Sequence, residues 1–241
     1  MPITKNKIIK NIARIRQSIS DAASRAGRSP DGVSIVAVTK GVDLETIKKL
    51  IDTGMTDLGE NRVQQLCQRA GDIAAYLQRR RNEVPGEIRW HMVGHLQRNK
   101  VKSVLEVADI IHSVDSLRLA EEINARAEQA DRRIDVFMEV NCSQEPQKYG
   151  VAVGAALHLA EMMSTLKHLR VVGLMTMAPL VTDPGRARPT FVRLRELFEE
   201  MRSEKVGGED FRHLSMGMTQ DYTVAVEEGA TVLRIGTAIF E

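Results

Sequence analysis

The chain has 241 residues, 43% hydrophobic and 27% charged, an ordinary balance for a globular protein and enough length to bury one large core without disulfides or metals. Its formal net charge of +2 is dispersed, which excludes the concentrated basic surface of a nucleic-acid binder, and the run Arg79-Arg80-Arg81 reads as the solvated end of a helix. Cys67 and Cys142 are too few and too far apart for a disulfide framework or a CxxC site, no run approaches the ~18 apolar residues of a membrane span, and no apolar signal core follows the N-terminus, so the expected setting is cytoplasmic with no membrane partner.

Ile8, Ile9, Ile12, Ile15, Ile19, Ala22, Ala23 and Ala26 recur at helical spacing, and Gly27 and Pro30 end the helix they define. Residues 33–39 (VSIVAVT) are short, β-branched and apolar, which predicts a strand buried on both faces. A helix over 43–52 follows, then a strand at 55–58, a helix over 61–81, a strand at 88–93 and a short helix near 99–107. The alternation continues with a strand at 109–114, a helix over 116–130, a strand at 134–141, a helix over 152–166 and a strand at 169–176. A proline-bearing loop leads to a helix over 188–205, a strand at 213–216, a helix over 219–228 and a last strand at 231–235. Eight strands alternating with helices predict a single (β/α)8 barrel domain over 1–241. A doubly wound open sheet is the alternative, but no GxGxxG follows the first strand. Only six residues follow Ile235, too few for a full eighth helix, and the N-terminal helix is expected to fill that gap in the outer ring.

Active sites of such barrels lie at the C-terminal ends of the strands. Lys40 directly follows the first strand. It reads either as a charge surfacing where a strand ends or as a Schiff-base lysine made nucleophilic by its surroundings. Asn61 follows the second strand and suits the N-cap of the next helix, a position that also faces the barrel mouth. His91 and His95 are four apart, but on a strand and turn they share no helical face, and Met92 stands where HExxH needs a glutamate. They read as histidines satisfied by neighbours or as a pocket wall. The seventh strand runs into Ser215-Met216-Gly217-Met218 and the eighth into Arg234-Ile235-Gly236-Thr237. Glycine with a hydroxyl residue in the last two loops predicts a phosphate site. Arg234 lies within a strand and needs an anion or a strong acceptor inside the barrel.

Taken in order, the segments Ala37-Val38-Thr39-Lys40, Gly59-Glu60-Asn61, Trp90-His91-Met92-Val93-Gly94-His95-Leu96-Gln97-Arg98-Asn99-Lys100, Gly173-Leu174-Met175, Leu214-Ser215-Met216-Gly217-Met218 and Arg234-Ile235-Gly236-Thr237-Ala238-Ile239-Phe240 resemble the pyridoxal phosphate homeostasis protein family over nearly the whole chain. The resemblance implies a barrel similar to the N-terminal domain of alanine racemase. It implies pyridoxal 5′-phosphate bound as a Schiff base on Lys40. Ser215, Gly236 and Thr237 would hold the phosphate, with Gly217 in the same cradle. Arg234 would face the pyridine nitrogen, with Asn61 near the ring and His91 a further neighbour. It implies a cofactor carrier or buffer without enzyme-like turnover, with apo pyridoxal-phosphate enzymes as partners. Lys148, in the loop after the fifth strand, is a candidate for a second, reversible link to the cofactor. A racemase or lyase using the same lysine is one alternative reading, and an unrelated phosphate-binding barrel such as a sugar-phosphate isomerase is another. Two expectations oppose the racemase. An arginine at the ring nitrogen only donates and weakens the ring as an electron sink, although alanine racemase is similar in having an arginine there, so this alone does not exclude racemisation. Of the three tyrosines, Tyr76, Tyr149 and Tyr222, only Tyr149 is expected on a loop near the mouth, and the chain ends at Glu241 with no further domain to supply an opposite-face acid.

Overall fold

A computed structural model describes residues 3–79 and 86–241. The helix α1 (Lys5–Arg25) begins at Thr4, whose hydroxyl accepts the amide hydrogen of Lys7, and buries Ile8, Ile12, Ile15, Ile19, Ala22 and Ala23 on one face. The chain then alternates through β1 (Ser34–Val38), α2 (Leu44–Ile51), β2 (Asp57–Glu60), α3 (Val63–Arg79), β3 (Arg89–Met92), α4 (Val101–Leu105), β4 (Ile110–Val114) and α5 (Leu117–Gln129). It continues through β5 (Ile134–Glu139), α6 (Val153–Ser164), β6 (Leu169–Met175), α7 (Arg188–Ser203), β7 (His213–Ser215), α8 (Tyr222–Glu227), β8 (Val232–Ile235) and α9 (Thr237–Phe240). All eight strands are parallel and pair in sequence order, and β1 pairs with β8 to close the barrel. The expected (β/α)8 architecture is present.

The outer ring closes as the sequence suggested. α1 packs against α2, α8 and α9. Asn11, buried in that seam, donates from Nδ2 to the carbonyl of Ile239 at 2.9 Å, and Arg28 donates to the carbonyl of Val226 at 3.0 Å. Two boundaries depart from expectation. The second strand lies at Asp57–Glu60 rather than 55–58, so Gly59 and Glu60 belong to the strand and not to the loop after it. Glu60 is tolerated there because its buried carboxylate pairs with Arg69 of α3. The helix expected near 99–107 is a 3-10 turn, Arg98–Lys100, followed by the shorter α4. The expected extension of α3 to Arg81, and with it most of the arginine run, lies outside the described residues.

The main core fills the shell between strands and helices and includes Ile8, Ile47, Leu50, Leu58, Ile73, Phe191 and Leu233. A second, smaller cluster of Val36, Phe137, Val172, Met175 and Val232 fills the inside of the strand ring. This interior is not wholly apolar. His91, His112, Ser215 and Arg234 are buried with it. The ring of His112 stacks on Phe137 with centroids 4.4 Å apart. Burial, followed by the nearby His91 and Arg234, holds the pKa of His112 well below the usual histidine value.

Two predictions follow from this packing. A Cβ on Gly173 would lie 1.8 Å from the carbonyl oxygen of His213, its partner across the β6–β7 pair. Neither backbone moves without breaking the register, so Gly173→Ala is expected to cost about 3 kcal/mol, the upper end for overpacking, measured by urea denaturation. The second concerns acid. Below about pH 6.5 the unfolded chain protonates His112 while the folded form keeps it neutral. Its contribution to stability is therefore present above that pH and lost below it, by up to about 1.4 kcal/mol per pH unit. Urea midpoints measured on either side of that pH are expected to fall more steeply for the natural protein than for His112→Gln. Parallel losses would place the acid sensitivity elsewhere.

Candidate functional site

The turn after β1 is held from two sides. The amide of Thr39 donates to the carbonyl of Gly59 at 2.9 Å, and the amide of Val42 donates to the carbonyl of Thr39 at 3.0 Å. Arg69 reaches in from α3, donating to the carbonyl of Thr39 at 2.6 Å and to that of Val42 at 2.7 Å. Its charge is balanced by Glu60, which also accepts a short hydrogen bond from the Thr39 hydroxyl. This buried clamp fixes the backbone on either side of Lys40 while leaving the Lys40 side chain exposed. Thr39, Glu60 and Arg69 hold this turn; the sequence assigns no role to any of the three and does not single out Arg69 at all.

Closure of the barrel sets Ala37 of β1 opposite Ile235 of β8. The segments that follow those two residues therefore emerge side by side. A cleft of about 340 Å³ lies between them, with Lys40, Gly41, Val42, Gly236, Thr237 and Phe240 in its walls. Three residues singled out from sequence, Lys40, Gly236 and Thr237, meet here. Gly217 lies in the adjoining loop and is required to be glycine. Its φ is +93°, and a Cβ would come within 2.6 Å of the Cβ of Ala225. Its carbonyl accepts from the amide of Arg234 at 3.0 Å, and the hydroxyl of Thr219 accepts from the amide of Ala238 at 3.3 Å, so the last two loops are tied together.

Arg234 sits deeper, inside the strand ring, and is only 5% exposed. It donates to the Ser215 hydroxyl at 2.5 Å and to the carbonyl of Thr176 at 2.9 Å. Burial lowers its pKa to about 10, opposed by Glu139 and Asp221, so it stays charged at neutral pH. The strong acceptors its position demanded are thus Ser215 and Thr176. The hydroxyl of Ser215, expected from the resemblance at the phosphate, is fully buried between Arg234 and His112 Nδ1, 2.8 Å away.

Asn61 is not the N-cap of α3, which begins at Val63. Its Oδ1 is buried with no hydrogen-bond partner, a cost that a bound donor would relieve. His91 does not line the cleft. Its ring is turned into the barrel, with one nitrogen on His112 at 2.9 Å and the other on Asp57 at 3.0 Å. Lys148 is tied to Glu145 and donates to the carbonyl of Met177 at 3.3 Å. Tyr149 is exposed and stacks on His95 with centroids 3.8 Å apart. Among the described residues no group of three or more His, Cys, Asp or Glu side chains is arranged to hold a metal, and no helix is long and apolar enough to cross a membrane.

Glu139 was missed from sequence. It ends β5, is buried, and its pKa is raised to about 7 by burial and by the charge of Asp115, against the pull of Arg234. A charged residue inside an apolar strand was its signal, the same one that identified Arg234. Here it was hidden by reading 134–141 as one uninterrupted strand.

Residues 7–241 match the family model for the alanine racemase N-terminal domain. The pyridoxal phosphate homeostasis protein of Aquifex aeolicus (strain VF5) is 37% identical over 231 residues, 96% of each chain. A solved structure of an unknown protein from Bifidobacterium adolescentis superposes with a TM-score of 0.89 at 36% identity, covering 98% of this chain and 95% of that one. The structure of PipY of Synechococcus elongatus PCC7942 with PLP bound superposes with a TM-score of 0.78 at 29% identity, covering 92% of this chain and 100% of that one. Sharing this fold, and this identity over nearly its full length, the chain belongs to the pyridoxal phosphate homeostasis proteins of the alanine racemase N-terminal domain family.

Proposed function

We propose that the protein binds pyridoxal 5′-phosphate at the C-terminal mouth of its barrel and serves cytoplasmic homeostasis of that cofactor, as a carrier or buffer rather than as an enzyme. The observation that carries this reading is the cleft in which Lys40 faces Gly236 and Thr237. The aldehyde of this cofactor links reversibly to an amine, and its phosphate calls for backbone amides and hydroxyls. Lys40 is the covalent anchor, held in place by the Arg69–Glu60 clamp. Gly236 and Thr237 hold the phosphate, with Gly217 allowing the neighbouring loop to close on it. Arg234 faces the ring nitrogen, and Ser215 acts by orienting Arg234. The unpartnered Oδ1 of Asn61 supplies an acceptor toward the ring. PipY, a protein of the same fold at 29% identity, has been solved with this cofactor bound.

The carrier reading is favoured over a racemase by the relatives' description as homeostasis proteins and by the chemistry of the cleft. Racemisation needs a second acid or base across the substrate from the lysine. Among the described residues lining the cleft there is no tyrosine or histidine; its carboxylates are Asp43, which caps α2 through the amide of Thr46, and the terminal Glu241. Apo pyridoxal-phosphate enzymes are the partners this role requires. Lys148 is a secondary anchor for a cofactor in transit.

Lys40→Ala is expected to abolish the coloured adduct and its borohydride-fixed form. An adduct confined to a peptide containing Lys148 would refute the anchor. Thr237→Val removes a hydrogen bond to a charged group, so binding of pyridoxal phosphate is expected to weaken about tenfold to a hundredfold. Binding of unphosphorylated pyridoxal is expected to change little, and equal losses would rule out the phosphate role. Loaded protein incubated with L-amino acids in deuterated water is expected to show no conversion to the D-enantiomer near 1 s⁻¹, the order of a slow enzyme turnover. Conversion at that rate would establish the racemase instead.

A further inference from the structure

Three side chains inside the barrel have no part in the reading above: Asp57, His91 and His112. They continue a line that begins at Arg234. Arg234 Nη1 is 2.5 Å from Ser215 Oγ, which is 2.8 Å from His112 Nδ1. His112 Nε2 is 2.9 Å from His91 Nδ1, and His91 Nε2 is 3.0 Å from Asp57 Oδ1. Ser215 is the last residue of β7 and Asp57 the first residue of β2. The line therefore crosses the barrel interior from its C-terminal end to its N-terminal end. There Asp57 lines a separate cleft of about 240 Å³ with Arg16, Ser34 and Thr56.

The direction of every hydrogen bond in this line follows from counting hydrogens. A guanidinium only donates. Burial works to raise the pKa of Asp57, but hydrogen bonds from His91 and Arg89 outweigh it and keep the group a carboxylate, which only accepts. Between these fixed ends stand one hydroxyl and two imidazoles. With both rings neutral they carry three hydrogens for the three remaining bonds. One arrangement satisfies all of them. The Ser215 hydroxyl donates to His112 Nδ1, His112 Nε2–H donates to His91 Nδ1, and His91 Nε2–H donates to Asp57. A lone pair of Ser215 is then turned to Arg234. An added proton has no place. It would either set N–H against N–H between the rings or make Ser215 accept from both Arg234 and His112, with its own hydrogen outside the line. The burial that keeps His112 neutral agrees with this arrangement.

We infer that Asp57, His91 and His112 are positioning residues for Arg234: a one-way hydrogen-bond chain anchored at the far end of the barrel fixes Ser215 as an acceptor and so sets how the guanidinium faces the bound cofactor. The inference rests on the reading that Arg234 meets the cofactor ring. Asparagine at position 57 both donates and accepts, so Asp57→Asn unlocks the end of the chain and lets its hydrogens reverse, with Ser215 then accepting from His112 as well. Arg89→Gln is the control: it removes the ion pair of Arg89 with Asp57, 2.8 Å long and on the surface side, while the hydrogen bond from His91, the stronger of the two that hold Asp57 as a carboxylate, still anchors the chain.

The test has two parts. Nitrogen-15 NMR of the natural protein without cofactor is expected to show His91 and His112 neutral, with the hydrogen on Nε2 of each, near neutral pH. A hydrogen on Nδ1 of either ring overturns the chain, whether or not any variant folds. With pyridoxal phosphate added, Asp57→Asn is expected to shift the visible absorption maximum and weaken binding about tenfold, while Arg89→Gln matches the natural protein. An Asp57→Asn spectrum and affinity equal to those of Arg89→Gln overturns the link to Arg234. If the natural protein forms no coloured adduct at all, the cofactor reading fails, and the NMR result still decides the chain.

Discussion

Pairing between the first and last strands is the contact on which the rest of the structure depends: Val36 and Ala37 of β1 lie opposite Arg234 and Ile235 of β8. Nothing local in the chain produces it. It joins segments nearly two hundred residues apart, against the entropy of closing a long loop. The seam is secured outside the ring by α1, which covers it from α2 to α8 and α9, with Asn11 bonded to the carbonyl of Ile239. Once the ring closes, Lys40 and Gly236-Thr237 become neighbours, and the cleft between them exists. Without that pairing each is an unremarkable turn.

The polar groups of this barrel are divided between two tasks, and burial is what makes both possible. At the mouth, Glu60 and Arg69 form a buried pair that would be weak evidence of stability alone, since desolvation offsets much of its attraction. Its geometry argues for a specific use: both nitrogens of the guanidinium end are bonded to the backbone flanking Lys40. Along the axis, Arg234 is surrounded by groups that answer its charge at different distances, with Ser215 and Thr176 in contact and Glu139 and Asp221 acting through the field. A guanidinium so placed is pre-oriented before any ligand arrives, which reduces the cost of binding.

The histidines show how the same residue type acquires different roles from its surroundings. His95 remains near the rim, stacked on Tyr149 and 3.6 Å from Asp115. His91, four residues earlier, is inside the ring. The two face opposite environments because one lies on the strand and the other beyond the turn that follows it. The spacing that suggests a metal pair on a helix therefore brings no pair together here.

The sequence by itself determined the architecture and which residues follow the strand ends. Helical recurrence of isoleucine and alanine marked α1, short β-branched runs marked the strands, and their alternation specified a barrel, because each pattern reflects a local face that must be buried. Lys40, Gly217, Gly236 and Thr237 were legible for a related reason: they follow strands, and strand ends in this fold converge on one mouth. Tertiary structure decided which way the buried polar groups point. A strand covered on both faces has no polar alternation to tell inside from outside, and a shift of one residue exchanges the two. That is why the pattern sets the second strand two residues too early, why Asn61 resembles a helix cap, and why nothing in the pattern marks Glu139 and His112 as inward-facing. It is also why the bonds of Ser215 to Arg234 and of His91 to Asp57 are not legible in the sequence: their partners come from strands remote in sequence, and only the closed ring brings them within hydrogen-bond reach.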